Sequence, residues 1–99
     1  KGFDNSAAIG TFVSLEQVGG DVQNLHFNLE IDNKEVQHGN TSDMLFCVDE
    51  IIAYVSRFMT LKIGDLLFTG TPAGVGPVCI GQHLQGYLGE DKLLDFYIR

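Results

Sequence analysis

Between residues 25 and 32 apolar and polar side chains alternate without a break: Leu25, Phe27, Leu29 and Ile31 are interleaved with His26, Asn28, Glu30 and Asp32. A period of two sends the two sets to opposite faces of an extended strand, whereas a helix would scatter both around its circumference. The segment is therefore expected to be a strand with one buried face. Asp32-Asn33-Lys34 follows, a group of residues that tolerates left-handed backbone, so Glu35-Val36-Gln37-His38 is expected to return antiparallel as a hairpin closed by Gly39-Asn40.

The pattern then changes period. Ile51, Ile52, Val55, Phe58 and Met59 share one face at 3.6 residues per turn, which predicts a helix over about 49–60. Asp49 and Glu50 sit in the first turn, where carboxylates favour the positive end of the helix dipole, and Arg57 sits near the other end. Cys47 stands where a serine would cap better, with Asp49 as the alternative cap. Lys62-Ile63-Gly64-Asp65 reads as a tight turn into a strand at Leu66-Leu67-Phe68. Three glycines and two prolines in the eight residues Gly70 to Pro77 predict a loop of fixed, unusual backbone. Two further strands are expected at Leu84 to Leu88 and Leu93 to Ile98, split by Gly89-Glu90-Asp91. The fold class is thus mixed, β-rich α+β, with one main helix.

A length of 99 residues allows one domain, and a hydrophobic fraction of 44% is enough for a core. Thirteen acidic residues against six basic ones give a net charge of −7, which repels nucleic acid and anionic membranes alike. The apolar runs Met44 to Val48 and Ile51 to Val55 fall far short of the roughly 18 residues that a membrane helix needs. Lys1 stands where an initiator methionine would be, and Lys-Gly-Phe-Asp-Asn-Ser has no signal-peptide character, so the chain reads as a piece of something longer. Cys47 and Cys79 form no C-x-x-C pair, and a reduced, cytoplasmic chain is the expectation; a Cys47–Cys79 disulfide is left open.

Local chemistry excludes more than it assigns. The glycine-rich loop lacks the Lys-Ser/Thr of a Walker loop and contains no complete G-x-G-x-x-G. It either simply turns the chain, or it offers the Thr71 hydroxyl and the backbone N–H groups around Gly70 to Ala73 to a small anion. No G-x-S-x-G elbow surrounds a serine. His26, His38 and His83 lack metalloprotease spacing and read as surface residues, and Asp49-Glu50 and Glu90-Asp91 read as helix-start and turn residues. Ser42 and Asp43 are expected to tie down the loop before the helix through side-chain to backbone hydrogen bonds.

Four segments carry more than local physics. They are Lys1-Gly2-Phe3-Asp4, Gly39 to Met44, Ile51 to Phe58, and Thr60 to Gly76 with its Gly64-Asp65 and Thr69-Gly70-Thr71-Pro72-Ala73-Gly74-Val75-Gly76 runs. In this order and spacing they resemble the carboxy-terminal half of the fumarylacetoacetate hydrolase family, over nearly the whole chain. The resemblance is strongest to the short, single-domain acylpyruvate hydrolases and oxaloacetate decarboxylases, together with the isomerase-decarboxylases of aromatic degradation. It implies that residues 1–99 are the C-terminal portion of one catalytic domain of β-roll fold, acting as a homodimer. It implies Mg²⁺ or Mn²⁺ and a small 2-oxo acid substrate, with the metal held by two glutamates and an aspartate that precede the lysine matched by Lys1, outside this chain. The histidine-glutamate pair that activates water in the hydrolases also lies outside it, so the piece alone is expected to be inactive.

Four positions carry roles over. Lys1 matches the lysine whose ammonium stabilises the enolate formed when a 2-oxo acid loses its carbon fragment. Thr71 matches a threonine that contacts the substrate carboxylate, and Gly70 lets the backbone approach there. Asn5 falls, with Lys1, where an outer-shell residue near the metal would be. The reaction implied is metal-dependent hydrolysis or decarboxylation at a C–C bond of an acylpyruvate- or oxaloacetate-type acid. The alternatives are an isomerase-decarboxylase and a non-catalytic binding or assembly module.

Overall fold

The computed structural model describes residues 8–99. Strands β1 (His26–Ile31) and β2 (Lys34–Asn40) form the expected hairpin. Its two-residue turn has Asp32 at φ 52° and Asn33 at φ 65°, the left-handed pair of a type I′ turn, whose twist matches that of the strands it joins. Phe27 lies opposite Gly39, where an added Cβ would stand 2.9 Å from the ring, so the glycine makes room for the aromatic side chain.

The second hairpin joins β3 (His83–Leu88) to β4 (Asp91–Tyr97) through Gly89-Glu90, with Gly89 at φ 61°. β1 and β3 pair antiparallel, Ile31 opposite Leu84 and Phe27 opposite Leu88, giving one four-stranded sheet in the order β2-β1-β3-β4. Each outer strand carries one bulge. The register shifts so that Val36 has no partner on β1 and Leu93 none on β3.

Leu84 and Gln85, 8% and 7% exposed, are the buried residues of the described chain. Neighbours along a strand face opposite sides, so β3 is covered on both faces and forms the centre of the fold. Although 44% of the sequence is hydrophobic, several large apolar side chains of the described residues stand open: Leu45, Ile63 and Phe68 are 95%, 107% and 74% exposed.

The one helix, α1 (Val48–Ser56), starts at the Cys47 cap but ends earlier than its periodicity suggests. Ser56 Oγ donates to the Ala53 carbonyl, and the N–H groups of Arg57 and Phe58 bond three residues back, tightening the last turn. Phe58 and Met59 therefore lie beyond the helix and are exposed, and Tyr54 meets Phe58 instead, with ring centroids 5.2 Å apart. Neither cap candidate acts on the backbone through its side chain: Cys47 Sγ donates to Glu50 Oε1 at 3.2 Å. The Lys62 to Asp65 turn forms as expected, closed in both directions and with Gly64 at φ 94°. Leu66 to Phe68 is not a strand. A strand needs a second backbone to bond, and among the described residues none pairs with it. Cys47 and Cys79 are both free, which closes the disulfide left open by the sequence.

Candidate functional site

The glycine-rich loop owes its place to β2. The Gln37 side-chain amide nitrogen donates to Thr71 Oγ1 at 2.9 Å, to the Pro72 carbonyl at 3.1 Å and to the Ala73 carbonyl at 3.5 Å. Gly74, at φ 104°, seats against the bulge: a Cβ there would stand 2.3 Å from the Val36 carbonyl oxygen. Gly70 is at φ 101°, so the loop has the fixed, glycine-dependent backbone that its composition suggests.

Held this way, Thr69 to Pro72 faces the segment Gly39 to Phe46 across a cleft of about 440 Å³. The opposite wall is built by side-chain to backbone bonds. Thr41 Oγ1 accepts from Leu25 N–H at 2.9 Å and donates to the Val22 carbonyl at 2.7 Å. Asn40 Oδ1 accepts from Ser42 N–H at 2.8 Å, capping a single 3₁₀ turn at Thr41–Asp43. Gln23 bridges the wall to α1, donating to the Thr41 carbonyl at 2.9 Å and accepting from Val48 N–H at 2.5 Å. The expected roles of Ser42 and Asp43 are thus played by Asn40, Thr41 and Gln23. The backbone of residues 41–43 supplies the groups to be tied, and longer or flanking side chains reach them.

Thr71 and Gly70, named from the sequence, line this one cleft together with Asn40 and Thr41. Lys1 and Asn5 lie outside the described residues. Gln37 is not distinguished by the sequence, because a glutamine on an edge strand carries no local mark; only the fold shows that its amide reaches a loop 34 positions away. His38 and Asp43 are the titratable groups on the cleft wall, and the His38 ring lies 3.4 Å from Glu35, outside on the exposed turn side of β2. Among the described residues no three His, Cys, Asp or Glu side chains come together, so these residues do not make a cage for a divalent ion. No helix of the described residues is long and apolar enough to cross a membrane.

A second polar cluster lies apart from the cleft, across β3 and β4. The His83 ring, expected at the surface, is half-buried: its Nε2 pairs with Asp95 Oδ1, and it stacks on Tyr97 with centroids 4.2 Å apart and planes 8° from parallel. Lys92 Nζ lies 3.2 Å from Asp95 Oδ2. The hydrogen bond from His83, and then that from Lys92, hold the Asp95 carboxyl below the usual carboxylate range, and Asp95 in turn pushes the Lys92 ammonium up. A larger groove, about 870 Å³, runs beside this cluster between residues 8–11 and β4, and Thr71 and Gly70 do not line it.

Residues 1–96 match the family model described as fumarylacetoacetate (FAA) hydrolase C-terminal. The chain is 43% identical over 84 residues to an oxaloacetate tautomerase of Escherichia coli K12, covering 85% of this chain and 38% of that protein. It is 40% identical over 99 residues to a mitochondrial oxaloacetate decarboxylase of Dictyostelium discoideum, covering 99% and 45%. The fold superposes with a TM-score of 0.79 and 29% identity on maleylpyruvate hydrolase from Sphingobium sp. SYK-6 in complex with manganese(II) and pyruvate, over 87% of this chain and 33% of that one. The chain spans less than half the length of these relatives.

Proposed function

The chain belongs to the fumarylacetoacetate hydrolase family, and from that premise we propose that residues 1–99 are the C-terminal portion of a single catalytic domain acting on a C–C bond of a small 2-oxo acid, of oxaloacetate or acylpyruvate type. The relatives support the substrate class: two are named for oxaloacetate, and a third is a maleylpyruvate hydrolase that holds pyruvate. The observation in the chain that carries the reading is the Thr71 hydroxyl, fixed at the cleft by Gln37 beside a glycine that leaves the backbone open to approach. Such a donor suits a carboxylate oxygen.

In this reading Thr71 and the backbone around Gly70 bind the substrate carboxylate. Lys1 sets its ammonium beside the oxygen that gains charge as the C–C bond breaks and the enolate forms. A fixed positive charge at that point acts chiefly in the transition state, where it is worth about 3–4 kcal/mol, on the scale of an oxyanion-hole donor. In a chain of net charge −7, binding an acidic substrate also requires such local positive charge. The divalent metal, Mg²⁺ or Mn²⁺, is assigned to ligands outside this chain, with Asn5 and Lys1 near its outer shell; manganese is present in the maleylpyruvate hydrolase. A homodimer and a reducing, cytoplasmic compartment complete the proposal, the latter in keeping with two free thiols.

The test is turnover by the purified gene product that contains these residues, with Mg²⁺ or Mn²⁺ and with EDTA. Pyruvate release from oxaloacetate, loss of its enol absorbance, and hydrolysis of acetylpyruvate separate decarboxylation, tautomerisation and hydrolysis. Metal-dependent pyruvate release from oxaloacetate or hydrolysis of acetylpyruvate is expected; loss of the enol absorbance without either would overturn cleavage at a C–C bond and leave the 2-oxo acid site standing. No conversion, with no thermal stabilisation by Mg²⁺ plus oxalate, would sink the enzyme reading in favour of an assembly module.

A further inference from the structure

The Gln37 amide nitrogen faces three oxygens of the glycine-rich loop, and two of them, the Pro72 and Ala73 carbonyls at 3.1 and 3.5 Å, can only accept. That fixes which end of the amide points to the loop, an assignment otherwise ambiguous for a glutamine. An amide nitrogen only donates, so Thr71 Oγ1, at 2.9 Å, must be the acceptor in its bond with Gln37. The single hydroxyl proton is not spent on that bond. Among the described residues no acceptor takes it, and Thr71 lines the cleft.

We propose that Gln37 is a positioning residue that makes Thr71 an obligatory donor toward the cleft, so that the site selects an acceptor-only group, a carboxylate, at this point. The inference rests on the reading in which Thr71 meets the substrate carboxylate and deepens it by naming what sets the polarity of that contact. An acceptor at position 37 would draw the Thr71 proton to itself and turn the hydroxyl lone pairs into the cleft, where they repel a carboxylate. The bulge at Val36 contributes by re-aiming the strand just before Gln37, and Gly74 lets the loop come close enough for the amide to span it.

The experiment is oxaloacetate turnover with Mg²⁺ by the gene product that contains these residues, comparing wild type, Gln37→Glu, Gln37→Met, Thr71→Val and the Gln37→Met/Thr71→Val double variant. Gln37→Glu is expected to raise KM roughly tenfold or more, the scale of one lost or reversed hydrogen bond. Gln37→Met raises KM less, kcat changes little in either, and adding Gln37→Met to Thr71→Val raises KM by a clearly smaller factor than in wild type. A purely loop-seating role predicts instead that the Gln37→Met penalty is undiminished in the Thr71→Val background, since the bond to Pro72 is lost there as well; that result overturns the proposal. A raised KM in Thr71→Val with an unchanged KM in Gln37→Glu overturns it too, and leaves the carboxylate reading standing. An unchanged KM in Thr71→Val overturns the carboxylate reading itself. Thermal unfolding of each variant establishes that it folds, and if Gln37→Glu does not, the Met variant and the cycle decide the matter.

Discussion

Gly74 approaches Val36 so closely that a Cβ on the glycine would stand 2.3 Å from the Val36 carbonyl oxygen. The backbone of Gly74, at φ 104°, is also one that side chains disfavour, by about 1–2 kcal/mol from the left-handed conformation alone. Gly74→Ala is therefore expected to lift the loop off β2 without unfolding the sheet, since the loop bears little of the buried surface. KM for the 2-oxo acid should rise several-fold while thermal stability falls only slightly. A variant with wild-type KM would show that the loop seat has no bearing on binding.

Lys1 and Thr71 should separate in kinetics. On the role proposed for it, Lys1 carries charge that matters most when the enolate forms, so in Lys1→Ala kcat should fall by roughly 10²–10³ with a smaller change in KM. On the proposed carboxylate contact, which is made equally before and during reaction, Thr71→Ala should raise KM and leave kcat unchanged. Steady-state rates on both variants decide, and an unchanged kcat in Lys1→Ala would remove that residue from the chemistry.

Thr41 satisfies two backbone groups at once, Leu25 N–H and the Val22 carbonyl, in a half-buried position. Thr41→Val keeps the shape and strands both partners, at a cost of about 1–3 kcal/mol. Urea unfolding should show that loss, and Thr41→Ser should recover most of it. Equal midpoints for Thr41→Val and wild type would mean that water replaces the hydroxyl freely.

The Asp95 carboxyl, held down by His83 first and Lys92 second, makes a pH prediction. A carboxylate whose folded pKa lies below its unfolded value of about 3.9 contributes stability that is present above that value and lost as pH falls through the folded one. Lys92, pushed up, contributes below the ordinary lysine value and loses that contribution as pH rises through its folded one. The stability gap between wild type and Asp95→Asn should thus close as pH falls below about 4. Asp95 is exposed to solvent, so the gap is small. Urea midpoints measured across the acid range would contradict this if the gap stayed constant down to pH 2.

The elements legible in the sequence were those whose causes are local. Alternation from Leu25 to Ile31, with Asp32-Asn33 able to take positive φ, determined the first hairpin, and Gly64 before Asp65 determined the turn after the helix. The early end of α1 depended on how Ser56 and the following N–H groups found carbonyls one turn back, which periodicity does not encode. Leu66 to Phe68 has strand-like composition, but composition cannot supply the backbone partner that makes a strand.

The candidate site divides in the same way. Residues 70–77 announce a constrained loop through glycine and proline, and the resemblance to a known family picked out Thr71 and Gly70 within it. Where that loop sits was decided by tertiary structure. Hydrogen-bond partners 34 residues apart, such as Gln37 and Thr71, leave no periodic trace in either strand or loop. The same holds for His83, which reads as a surface residue until β3 and β4 pair and bring Asp95 and Tyr97 to its ring. Sequence determines conformation where neighbours along the chain compete for the same backbone groups; contacts between distant segments exist only once the sheet has fixed their distance.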